Sequence, residues 1–139
     1  MVVVEIVEPT VLQLVELLGL YESVGWTSYT RDPELLWRSV SGSHRVATAR
    51  RNGRLVGLAR TISDGATIVY LQDVLVAPTE QRGGTGRRLL ETLFESYGDI
   101  RQRVLLTDTE ERQRAFYERL GFTEVHDHEP GLRAFVRFR

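Results

Sequence analysis

Residues Tyr70 to Phe94 read YLQDVLVAPTEQRGGTGRRLLETLF, and this stretch decides the fold. Val69, Leu71, Val74, Leu75 and Val76 form an apolar, β-branched run, the pattern of a strand buried over most of its length. Pro78 has no N–H to give a sheet ladder, so the strand ends there. Gly83, Gly84 and Gly86 follow, and then Leu89, Leu90, Leu93 and Phe94 recur at helical spacing. A buried strand thus runs through a glycine-rich loop into a helix N-terminus. That geometry aims unpaired backbone N–H groups and the positive end of a helix dipole at one small volume. It suits an anion, phosphate above all. The glycines let a ligand reach the backbone without a Cβ in the way. Arg82, Arg87 and Arg88 add positive charge around it.

Three phosphate-loop patterns compete for this stretch. A P-loop requires Lys after its last glycine, and the chain has none: all 18 basic residues are Arg. A dinucleotide fingerprint requires G-x-G-x-x-G, which Gly83, Gly84 and Gly86 do not supply. Gln81-Arg82-Gly83-Gly84-Thr85-Gly86 matches Q/R-x-x-G-x-G/A, preceded by a strand that ends Val76-Ala77-Pro78. This resembles the acetyl-CoA pyrophosphate loop of the GNAT N-acetyltransferase superfamily. An ordinary strand–turn–helix with glycines for tight packing is the bland alternative. A second stretch, Ala115-Phe116-Tyr117-Glu118-Arg119-Leu120-Gly121-Phe122, is similar to the family's second motif, a helix that carries a Tyr and closes with Gly-Phe. The resemblance departs from the family where many members have Asn and Ala. Glu110 and Gln113 stand there, so the contact of that Asn with the pantetheine arm is not carried over.

Working outward from the loop, Val2 to Val7 reads as a strand. Pro9 and Thr10 open a helix with Val11, Leu14, Val15 and Leu18 on one face, and Gly19 is its expected stop. An aromatic loop, Tyr21 to Tyr29, leads to a second helix capped by Asp32 with Pro33 in its first position. Arg45 to Arg51 and Leu55 to Ser63 pair through an Asn52-Gly53 turn. Asp64-Gly65 turns the chain into the central strand. Past the glycine-rich helix come a short strand, Val104 to Thr107, and a helix capped by Thr109 that runs to Leu120. Thr123 to His126 and Leu132 to Phe138 are expected to close the fold as two strands around Glu129-Pro130-Gly131. The expected architecture is α/β, a mixed and mostly antiparallel sheet flanked by about four helices, in one domain over residues 1–139. The same order of elements resembles the GNAT topology throughout.

Composition narrows the function classes. A chain of 139 residues with 42% apolar and 27% charged residues is long enough for a proper core. No apolar run nears the ~20 residues of a membrane span. Met1 to Val4 is broken by Glu5 and lacks a basic flank, so it does not read as a signal peptide, and the expected compartment is the cytoplasm. Zero Cys excludes disulfides, thiolate metal sites and a cysteine nucleophile. A net charge of −1 leaves no footprint for nucleic acid. His126-Asp127-His128 lies on one short segment with no further ligand cluster, so no metal site is expected.

The resemblance implies a direct acetyl transfer from acetyl-CoA, as co-substrate, to a primary amine of a small molecule or a peptide. It implies that the pyrophosphate rests on the backbone of Gln81, Arg82, Gly83, Gly84, Thr85, Gly86 and Arg87. It implies that the pantetheine arm pairs with Val74, Leu75 and Val76 like an added strand, with an N–H near Leu75 polarising the thioester carbonyl. Tyr117 is then the general acid for the leaving thiolate, against the alternative of a half-buried helix Tyr with its hydroxyl at the surface.

Asp73 interrupts the apolar strand and is either the general base or the ion-pair partner of an Arg such as Arg60 on the next strand. Gln72 and Tyr70 are placed to order a water that takes the proton instead. His44, His126 and His128 read as solvated. Tyr21, Trp26, Tyr29 and Phe135 are candidate walls of the acceptor pocket, or else seal the edge of the core. A homodimer through the alternating segment Leu132 to Phe138 is expected. A non-catalytic acyl-CoA-binding domain is the alternative to the enzyme.

Overall fold

The computed structural model describes residues 1–139. The chain divides into two compact units, residues 1–106 and residues 107–139. The first is built on a five-stranded sheet with the strands in sequence order, β1 (Val2–Val7), β2 (Arg45–Arg51), β3 (Arg54–Ser63), β4 (Ile68–Val76) and β5 (Gln102–Leu105). All neighbours are antiparallel except β4 and β5, which run parallel. This is the mixed, mostly antiparallel α/β architecture expected from the sequence. The Asn52-Gly53 turn joins β2 to β3 with both residues at positive φ, 51° and 79°. That is the hairpin turn whose twist matches the strands.

The helices are α1 (Leu14–Ser23), α2 (Thr27–Thr30), α3 (Pro33–Ser41), α4 (Thr85–Glu95) and α5 (Glu111–Arg119). Leu17 and Tyr21 of α1, Leu36 and Val40 of α3, and Leu89, Leu90 and Leu93 of α4 are all fully buried with Val46, Leu58 and Val69 of the sheet. Helices α1, α3 and α4 therefore each turn one apolar stripe inward, which is the term that stabilises the unit. Helix α4 lies close on the sheet at Gly57. A Cβ there would stand 3.1 Å from Leu89 Cδ1 and 3.1 Å from Ala49 Cβ. No helix is long and apolar enough to cross a membrane.

The sheet is irregular where it matters. Arg60 pairs with Asp73 but Thr61 pairs with Leu71, so Gln72 is an extra residue bulged from β4. On its other side β4 pairs with β5 only from Ile68 to Leu71. From Gln72 to Val76 that edge has no strand beside it.

The second unit holds α5 and a single 3₁₀ turn, Val125–Asp127. Tyr117 packs edge-on against Phe116 and Phe122, with ring centroids 5.1 and 6.0 Å apart. Gly121, at φ 93°, ends α5 as expected.

Four local expectations are corrected. Residues Pro9–Val11 form a 3₁₀ turn, and α1 starts after it and runs through Gly19 to Ser23. Its start is fixed by Gln13 and Glu16, whose side chain accepts from the Gln13 N–H at 2.9 Å. Thr109 does not cap α5: Glu110 occupies the cap position, and Asp108 Oδ1 accepts its N–H at 3.0 Å. The closing strands at Thr123 to His126 and Leu132 to Phe138 are not formed. Alternation marks an apolar face, but a strand also needs a ladder partner, and residues 107–139 contain no strand. The expected dimer loses the strand edge it rested on.

Candidate active site

The glycine-rich loop is shaped before any ligand arrives. Gly84 adopts the left-handed conformation, φ 82°, which an L side chain resists, and Arg82 does the same at φ 69°. Left-handed residues alternating with ordinary ones turn successive N–H groups inward to make an anion cradle. The N–H groups of Arg82, Gly83, Gly84, Thr85, Gly86 and Arg87 have no acceptor in the chain; the ladder resumes at Arg88, whose N–H reaches Gly84 O at 3.0 Å. Six successive unpaired donors at a helix N-terminus fit a pyrophosphate.

Side chains pin the cradle from both ends. Gln81 Nε2 donates to the Val76 carbonyl at 2.9 Å, closing the loop onto the end of β4. Arg51 grips Glu80 with two bonds of 2.8 and 3.0 Å, which ties the loop to the β2–β3 hairpin. Nothing in the sequence signals that pair, because its members are 29 residues apart. The three loop arginines separate in role. Arg87 is paired with Glu91 at 2.6 Å, and Arg88 donates to the Val2 carbonyl at 3.1 Å. Arg82 has no partner in the chain and keeps its charge for a ligand.

Beside the loop, the open edge of β4 presents the backbone groups of Val74 and Val76, while those of Leu75 between them face β3, with Gln72 exposed at the bulge. Asp73 points the other way, into the core. Its Oδ2 accepts from Arg60 Nε at 2.6 Å and from the Tyr21 hydroxyl at 3.0 Å, and its Oδ1 accepts from the Tyr29 hydroxyl at 3.0 Å. Of the two sequence readings of Asp73, the ion pair with Arg60 is the one formed. The carboxylate is 4% exposed and its lone pairs face three donors, so it presents no free face to an incoming amine. Burial opposes the charged Arg60 guanidinium, but the Asp73 charge and hydrogen bond outweigh it, so Arg60 is held above its ordinary range. Burial, with the Asp73 charge behind it, also pushes the Tyr21 phenol up.

The aromatic loop is gathered into one cluster. Tyr21 meets Tyr29 and Trp26 edge-on at 5.1 and 5.8 Å, and Trp26 stacks near Tyr29 at 6.2 Å. Tyr21 is wholly buried and so belongs to the core, which corrects its assignment as a pocket wall. Tyr29 and Trp26 are half-buried and keep ring surface. Phe135 is 86% exposed in an irregular segment. It walls nothing within residues 107–139.

Tyr117 is 8% exposed, and burial, helped by the negative charge of Asp108, pushes its phenol up to about 12. His126 is solvated as expected, and His128 Nδ1 lies 2.9 Å from the Pro130 carbonyl. His44 is not simply solvated: its Nδ1 lies 2.7 Å from the Tyr97 hydroxyl. Glu124, His126 and Asp127 come together on the surface, where Arg114 bonds to both Glu124 and Asp127 and offsets part of their charge.

Comparison with known proteins bears on this arrangement. The family model of the acetyltransferase (GNAT) domain matches residues 42–124, more than half of the chain. A solved GNAT-family acetyltransferase of Streptococcus pneumoniae is 27% identical and superposes with a TM-score of 0.83, all of each chain being covered. A histone acetyltransferase of Glycine max is 32% identical over 77% of this chain, and the chain spans 50% of that relative's length. An aminoglycoside N-acetyltransferase solved in complex with CoA has the same fold, at a TM-score of 0.70 and 15% identity over 100% of this chain and 95% of that one. With this match spanning the loop, the open strand and α5, the chain belongs to the GNAT family of acetyltransferases.

Proposed function

We propose that the chain transfers an acetyl group from acetyl-CoA directly to a primary amine of a small molecule or a peptide. The observation that carries this reading is the row of six unpaired N–H groups from Arg82 to Arg87, lying next to the open edge of β4. The pyrophosphate of the donor takes the first, and the Arg82 guanidinium adds charge. The amide-bearing pantetheine arm takes the second by completing the sheet. A backbone N–H near Leu75 on the open edge, that of Val74 or Val76, then polarises the thioester carbonyl.

The neutral amine attacks that carbonyl, a C–N bond forms, and the C–S bond breaks to release the thiolate. The amine sheds its proton to water, and the released thiolate takes one from solvent. Tyr117 is assigned to the sulfur on the motif it shares with the family. Its phenol, at about 12, is protonated at every physiological pH. An ordinary thiol titrates near ~8.5, so complete transfer from such a phenol would be uphill by about 5 kcal/mol. Tyr117 therefore acts as a hydrogen-bond donor to the developing thiolate rather than surrendering its proton outright. Asp73 is engaged with Arg60, so the amine's proton leaves through water ordered by Gln72 and Tyr70.

The test is a screen for acetyl-CoA consumption across amines, amino acids, polyamines and peptides, read as free thiol. The expected result is amine-dependent thiol release with a mass increase of one acetyl group on the amine. Release of thiol that no amine accelerates, with CoA bound, overturns the transfer and leaves a binding domain.

A further inference from the structure

Helix α2 is a single turn, Thr27–Thr30, and its cap position, Trp26, makes no side-chain cap bond. One turn fixes several dihedrals for very few hydrogen bonds and does not hold itself together. Beside the ring contacts with Tyr21, what ties this one to the core is a buried polar network. The Tyr29 hydroxyl donates to Asp73 Oδ1 at 3.0 Å and accepts from Arg60 Nη2 at 3.0 Å and from Gln72 Nε2 at 3.4 Å. Arg60 also donates to the Ser39 carbonyl of α3 at 3.1 Å. Asp73 and Arg60 are each 4% exposed, so the anchor is in the core while the turn it holds is at the surface.

The half-buried Tyr29 is therefore joined to the residue bulged out of β4, and the half-buried Trp26 stacks beside Tyr29. The Gln72 amide is oriented by the same hydroxyl. Its Nε2 is engaged, and its Oε1 has no partner, so that one acceptor is left for a substrate N–H. The arrangement lies beside the open edge of β4, where the thioester is placed in the reading above.

We infer that Asp73 is a positioning residue for the amine: through Arg60 and the Tyr29 hydroxyl it fixes the Trp26–Thr30 turn and the Gln72 amide as one wall of the acceptor site. The inference rests on the proposed acetyl transfer for the word acceptor, and on geometry alone for the wall. It gives this carboxylate a task that needs its charge and its burial together. Asp73 never touches the amine; it sets where Trp26 and Gln72 meet it.

The test uses the full chain with Trp37→Phe, which leaves Trp26 as the sole indole. Tyr29→Phe keeps the ring and the Arg60–Asp73 pair but deletes the hydroxyl. Acrylamide quenching of Trp26 is expected to rise at least twofold, because the turn loses its tether. With the amine that the screen identifies, KM for the amine is expected to rise at least tenfold, with a smaller change in kcat. Affinity for CoA, measured by calorimetry, is the control.

Unchanged quenching in the folded variant overturns the inference. Raised quenching with an unchanged KM overturns the acceptor role, and so does a wild-type enzyme that acetylates no amine. Quenching needs no substrate, so a failed network and a failed transferase reading are told apart. Asp73→Asn, if it folds, is expected to reproduce both effects, and a normal KM in that folded variant also overturns the inference.

Discussion

Arg60 and Asp73 face each other across β3 and β4 with Nε 2.6 Å from Oδ2 and with side chains only 5% and 4% exposed. Removing one member strands the other as a buried charge, which costs about 3–5 kcal/mol. Asp73→Ala and Arg60→Ala are each expected to lose that much in urea unfolding. The double variant Arg60→Met with Asp73→Leu removes both charges and fills the space, and is expected to lose much less than the sum. Additive losses would mean that the pair is not coupled.

Gly86 is the second residue of α4 and one of the six unpaired donors. A branched side chain there crowds the approach of the pyrophosphate. Gly86→Val is expected to weaken CoA binding at least tenfold, about 1.4 kcal/mol. Val is a better helix former than Gly, so the fold is expected to persist. Calorimetry with unchanged CoA affinity in the folded variant would contradict the cradle.

Tyr117→Phe keeps the ring and its packing on Phe116 and Phe122. The expected outcome is a kcat lower by roughly 10²–10³-fold, the loss of one hydrogen-bond donor to developing charge, with nearly unchanged CoA affinity. A wild-type turnover rate would remove Tyr117 from the chemistry, and lost CoA affinity with normal kcat would make it a binding residue.

The same phenol sets an expectation for pH. It is raised above its ordinary value near 10 to about 12 by burial and by Asp108. The neutral, donating form therefore persists through pH 10, where an unshifted phenol would be half ionised. kcat is expected to hold to at least pH 10.5. A fall to half near pH 10, absent in Tyr117→Phe, would show that the phenol is not shifted.

Thr48 is buried in β2 and its hydroxyl has no hydrogen-bond partner. An unsatisfied buried hydroxyl costs about 1–3 kcal/mol. Thr48→Val keeps the shape and removes the group, so the variant is expected to be more stable by about 1 kcal/mol. A lower Tm in calorimetry would show that the hydroxyl finds a partner in solution.

Much of this was legible in the chain because the deciding signals are local. Pro78 stops a strand, Gly84 takes a positive φ, and the spacing of Leu89, Leu90 and Leu93 makes a helix, all within 25 residues. What was not legible depends on register. Whether Asp73 is a base or an ion-pair member turns on a bulge at Gln72 that brings Arg60 opposite it. The Arg51–Glu80 clamp joins a hairpin to a loop with no shared pattern. Gly19 looked like a stop, but tertiary packing of Leu17, Leu20 and Tyr21 carries α1 through it. The C-terminal alternation was read as a strand, since alternation alone cannot say whether a neighbour will pair with it.

The half-open edge of β4 has an isotopic consequence. Backbone amides without an acceptor trade hydrogen for deuterium quickly, and those in a ladder trade slowly. The amides of Val74 and Val76 on that edge and the six from Arg82 to Arg87 are expected to exchange within seconds in the free chain, and the amides that β4 shares with β3 over hours. A bound pantetheine and pyrophosphate would turn the fast set slow without any change of fold. The ligand would thus write its own outline, residue by residue, as a map of retained protons, before any acceptor amine is known.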